Sequence, residues 1–220
     1  MLSPGRVQVA GGVAGRLVAL DRSALLDEAS GVLEDVAVAP GMAPFVGARV
    51  GIDGDNEAGL AYMGRAIRLD GRHAFDLGDS WRLSVGAGAS ALLPRPRGGD
   101  ADLGSVYGGG GDLPVLVGWS SEADIYSVWI GPRGGFELLR GRILETELSA
   151  SEAASADFVA ISGTHAFVGG VLGMRVGFRS IHVALELDLA YHRAWGTLGQ
   201  READIEQLGI APASALALSF

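Results

Sequence analysis

The chain has 220 residues, 48% of them hydrophobic, 20% charged, with a net charge of −9 and no cysteine. That acidity argues against a nucleic-acid partner, and four scattered histidines without cysteine argue against a zinc site. No apolar run reaches the roughly 18 residues a membrane helix needs, the stretch from Gly163 to Gly177 being broken by Arg175. Glycine is the outlier: 35 of the residues, more than twice the usual ~7% share, with no collagen period. Such a composition suits bent strands crowded on one face.

Taken in chain order, the pattern is period 2. In the first segment Val7, Val9, Val13 and Leu17 oppose Gln8, Ala10, Gly12, Ala14 and Arg16. About residues 20–40 break the pattern and read as a loop or short amphipathic helix, with Leu25, Leu26, Leu33 and Val36 between carboxylates. Val46, Ala48, Val50 and Ile52 then oppose Gly47, Arg49 and Gly51; Glu57 to Phe75 is long and less regular, with Arg68, Asp70 and Arg72 on one face. Trp81 to Leu92 alternates most cleanly, and Ile181 to Arg193 nearly as well. Segments 6–18, 43–53, 57–75, 80–93, 113–121, 124–140, 158–177, 180–195 and 208–220 make nine candidate strands. Short turns (Asp53-Gly54-Asp55-Asn56, Leu77-Gly78-Asp79, Phe178-Arg179-Ser180) alternate with longer connections at about 94–112, 145–157 and 196–207. The expectation is all-β: one domain over residues 1–220, a closed antiparallel transmembrane β-barrel of eight to ten strands, with residues 1–5 a disordered tail. Single-chain bacterial barrels use even strand numbers, so nine needs repair. Either residues 6–18 lie outside the barrel, giving eight, or Leu103 to Tyr107 form a further strand, giving ten.

The last segment, Leu208 to Phe220, alternates and ends on a carboxy-terminal aromatic. In this the chain resembles bacterial outer-membrane β-barrel proteins as a class. The resemblance implies short periplasmic turns, longer extracellular loops, outer-membrane lipid around the barrel, and recognition of the Phe220 strand by the barrel-assembly machinery as an insertion signal. It also implies export. Residues 1–5 lack the basic start and apolar stretch of a signal peptide, so the expectation is that a signal preceded Leu2 and was removed.

Inside such a barrel is the cheap place for charge, a lipid-facing charge costing roughly 2–4 kcal/mol near the midplane. The expected lumen network is Arg49, Arg68, Asp70, Arg72, Arg82, Arg133, Glu137, Arg175, Glu186 and Asp188. Its favoured reading is an ion-paired filling in a structural or surface-interaction protein, with no catalytic residue, metal or cofactor. Alternatives are a narrow pore for small anionic solutes, an outer-membrane enzyme acting on lipid, and a soluble barrel binding an apolar ligand. For the enzyme, Ser180, His182 and Glu186 share a face, but same-face neighbours on one strand lie about 7 Å apart, beyond hydrogen-bond reach. The soluble barrel would reverse the two faces, turning the apolar one inward.

Overall fold

The computed structural model describes residues 2–21, 28–39, 41–93, 106–122, 125–144 and 158–220. Among them ten strands form one closed antiparallel ring: β1 (Val7–Asp21), β2 (Gly41–Gly51), β3 (Asn56–Tyr62), β4 (Ala66–Gly78), β5 (Trp81–Leu92), β6 (Val106–Ser120), β7 (Tyr126–Leu144), β8 (Phe158–Phe178), β9 (Ile181–Leu198) and β10 (Arg201–Ser219). Helix α1 (Glu28–Ala37) lies between β1 and β2. Each strand pairs with the next in sequence, and β1 pairs with β10 to close the ring. Phe220 sits at that seam, where Val7 N–H donates to its carbonyl at 3.2 Å and its N–H donates to the Val7 carbonyl at 2.8 Å.

Ten strands, not nine or eight, because the stretch read as 57–75 is a hairpin. β3 and β4 are joined by a tight turn in which Gly64 takes φ +73°, a conformation open to glycine, and Met63 N–H donates to the Ala66 carbonyl at 2.8 Å. The outward positions switch there from even to odd, from Leu60 and Tyr62 to Ile67 and Leu69. Neither repair of the count holds. Residues 7–21 belong to the ring, and β6 runs unbroken from Val106 through the glycine run, residues 103–105 lying outside the described residues. The connection expected at 196–207 is also strand. β9 and β10 meet at a turn where Gly199 takes φ +61°, and the charges of Glu202, Asp204 and Glu206 stand on the outward face. Residues 2–5, within the 1–5 expected as a disordered tail, turn back on the ring: Gly5 N–H donates to the Gly51 carbonyl at 2.8 Å, and Leu2 is buried with its backbone nitrogen on the Glu57 carboxylate.

The exterior is apolar, as alternation requires when lipid is the outer solvent. Val168 is 63% exposed, Ile130 60% and Leu187 45%, while their strand neighbours His165, Leu139 and Ala190 are buried. This is the reverse of a soluble barrel. Chain direction puts the termini, the 52–55, 79–80 and 179–180 turns and the β6–β7 connection at one end, the periplasmic end of the expectation. The ring is lopsided at the other: β7 to β10 have 19, 21, 18 and 19 residues, β3 only seven.

Candidate functional site

The tall wall and the helix make the one apolar core of the molecule among the described residues. Ala29, Leu33 and Ala37 lie along one face of α1 at helical spacing. They pack on the inner face of the extended strands, against Leu139, Ile143, Ile161, Ala194, Leu198, Ala203 and Ile205. The helix thus sits inside the external mouth rather than over it. Its C-terminal end, where unsatisfied carbonyls favour cations, is held by two arginines from the wall. Arg65, in the β3–β4 turn, donates to the carbonyls of Val36 and Ala37, the second at 3.0 Å, and Arg16 on β1 donates to the carbonyl of Val38. The sequence placed Arg16 on the small-residue face but gave neither arginine this partner.

Below the helix the inward charges join in a chain. Arg49 pairs with Asp70 at 2.6 Å, and Asp70 also holds Arg68. Arg68 grips Asp112 with two nitrogens at 3.0 and 3.1 Å, and Arg133 reaches the same carboxylate at 3.0 Å and Asp188 at 3.7 Å. Arg72 closes the lower side on Glu57 at 2.5 Å, with Arg49 3.8 Å away. Separately, Glu137 accepts from Arg65 at 3.2 Å, the arginine that holds the end of the helix. Glu186 accepts from the Trp129 indole at 3.1 Å. Arg175 lies half-buried on the inner face of β8, and Arg82 is exposed at the periplasmic end. Two cavities border this chain, one of about 580 Å³ towards the periplasmic end beside Glu57, Arg72 and His73, and one of about 150 Å³ beside Arg49 and Asp70.

Three parts of this interior were missed. Glu57 and Asp112 fell in an irregular segment and in a presumed loop, so neither was assigned a face. Two of the four scattered histidines come together here: Nε2 of His165 and Nδ1 of His192 are 3.0 Å apart across the β8–β9 pair, both buried. An ionised carboxylate can only accept, so Nδ1 of His165, 3.3 Å from Glu137, donates to it, and His192 then donates to Nε2 of His165. The useful signal was cross-strand: inward positions on neighbouring strands are about 5 Å apart, closer than same-face neighbours on one strand. Of the Ser180, His182 and Glu186 set, Ser180 lies in the periplasmic turn, His182 is buried and Glu186 accepts from Trp129.

An even-stranded closed antiparallel ring, apolar outside and charged within, is the architecture of bacterial outer-membrane β-barrel proteins, and this chain is a barrel of that class. No protein-family model matches it, and no curated protein does. Among solved structures it is similar to Neisserial surface protein A (12% identity, TM-score 0.33, covering 98% of this chain and 96% of that one). It is also similar to Ail, the attachment invasion locus protein of Yersinia pestis (9%, 0.35, 99% and 100%), and to the N-terminal β-barrel domain of Pseudomonas aeruginosa OprF (10%, 0.34, 100% and 100%). These likenesses are low, and the class rests on the ring and its exterior.

Proposed function

We propose that this chain is a non-conducting barrel of the bacterial outer membrane, without enzymatic activity, serving a structural or surface-interaction role. The observation that carries the reading is α1 seated in the external mouth above a lumen crossed by paired side chains. A conduit for anions needs arginines free to exchange partners with the solute; here Arg49, Arg68, Arg72 and Arg133 are each committed to carboxylates. Export with removal of a signal, and recognition of the Phe220 strand by the assembly machinery, belong to the same proposal.

The test is conductance in planar bilayers. The wild-type protein is expected to give no discrete steps, and replacing residues 28–37 by a short glycine-serine turn is expected to leave the lumen closed, because the ion pairs below remain. Stepwise anion-selective current from the wild-type barrel overturns the reading.

A further inference from the structure

On the outer wall of β7 the lipid-facing side runs from Tyr126 through Val128, Ile130 and Phe136 to Leu138. At about 3.3 Å per residue and a tilt of about 40° this covers roughly 30 Å of height, the whole of an apolar band about 25 Å tall. The next two outward positions are Arg140 and Arg142. Both are exposed, and neither has an ion-pair partner among the described residues. Arg140 also stands in a cross-strand row: Tyr107, Arg140, Ser162 and Thr197 are successive register partners across β6, β7, β8 and β9. At about 4.8 Å between strands the row is roughly 14 Å long. It offers a phenol, a guanidinium and two hydroxyls, the latter 3.0 Å from one another. The β9–β10 side differs, because Arg193 is already drawn to Asp204 at 3.4 Å and Glu206 at 3.6 Å.

We propose that this row is a docking surface for the phosphorylated sugar headgroup of an outer-leaflet glycolipid. Its phosphate lies on Arg140 and Arg142, its sugar oxygens on Tyr107, Ser162 and Thr197, and its acyl chains on Phe136, Leu138 and Val168 below. Guanidinium forks suit phosphate geometry, and cations with no ion-pair partner among the described residues, at the upper edge of an apolar wall, sit where lipid phosphates lie. A soluble phosphate would use the arginines alone and leave the adjoining apolar wall unused. The proposal rests on the membrane-barrel reading.

The experiment inserts the wild-type protein and the Arg140→Ala/Arg142→Ala variant into phosphatidylcholine vesicles, then extracts both in detergent. Bound lipid is titrated by native mass spectrometry with lipid A, its dephosphorylated form, and phosphatidylglycerol. Lipid A is expected to bind the wild type about thirtyfold more tightly than the variant, from about fivefold per arginine near an anionic surface. The dephosphorylated form is expected to show no such difference. Equal lipid A binding by both proteins overturns the site. Phosphatidylglycerol binding as tight as lipid A overturns the sugar assignment. Failure of both proteins to insert strikes the membrane reading itself, and this proposal with it.

Discussion

Asp112 separates a dry lumen from a wet one. Its carboxylate, 8% exposed, takes two nitrogens of Arg68 and one of Arg133 at 3.0 to 3.1 Å. Asp112→Asn keeps the shape and removes the charge, leaving two guanidinium groups facing a neutral amide. If the lumen is filled as described, breaking a buried pair costs about 3–5 kcal/mol. Arg68 and Arg133 keep 15% and 24% of their side-chain surface, and Asp70 and Asp188 partly compensate, so the lower end, about 3 kcal/mol, is expected. If water fills the lumen, the pairs are screened and the change costs about 1 kcal/mol or less. Urea unfolding in phospholipid vesicles, followed by tryptophan fluorescence, gives the number. A double-mutant cycle with Arg133→Gln isolates the pair, with a coupling of about 1.5 kcal/mol or more in the dry case. A loss under 1 kcal/mol with no coupling refutes the filled lumen and reopens the pore.

Three further outcomes follow from the same geometry. Leu33→Ala truncates the one leucine of α1, which is fully buried, and should weaken helix seating by about 2–5 kcal/mol; proteolysis within residues 28–37 should rise while the barrel stays intact. At Gly173 a Cβ would fall 2.1 Å from the Trp129 indole, so Gly173→Ala should displace the ring, break its bond to Glu186, cost about 1–3 kcal/mol and shift the emission spectrum. Deleting Phe220 removes two seam hydrogen bonds with Val7, worth about 1–2 kcal/mol together. The assembled fraction, read by heat-modifiable gel mobility, should fall further than that loss explains if the assembly machinery reads the terminal aromatic.

Period 2 made the strands legible wherever lipid demands an unbroken apolar face, as on β5 and β9. It failed at places where the chain obeys another constraint. The β3–β4 turn, Met63-Gly64-Arg65, carries none of the Asn-Gly or Asp-Gly chemistry that marks hairpins, so only the switch of outward parity betrayed it. Above the bilayer the outer face no longer needs to be apolar, and the alternation of Arg201 to Glu206 therefore resembled a polar loop. The inward side chains could be assigned to a face but not to partners, because pairing depends on inter-strand register, which no single strand encodes. Arg65 is the clearest case: a turn residue in the sequence, it becomes the link between Glu137 and the end of α1.

The lopsided rim explains why the helix is there. A strand of 21 residues like β8 rises roughly 50 Å at a tilt of about 40°, about twice the apolar band, whereas seven residues like β3 rise only roughly 18 Å. The upper ends of β7 to β10 therefore rise above the apolar band, with Leu139, Ile143, Ile161, Leu198 and Ile205 on the inner side of the wall they extend. Lipid does not reach those inner-face residues, and the opposite wall adds only Ala66 on β4 and Leu92 on β5 to the same core. A helix laid on the sheet is the ordinary solution for a one-sided apolar face. α1 is thus the second layer of a small extracellular core, and it seals the mouth as a consequence. Loss of the helix should then loosen the projecting wall before it opens the lumen, because the ion pairs below do not depend on it except through Arg65 and Glu137. The outer side of that wall, above the apolar band, is the surface the barrel holds out to its surroundings.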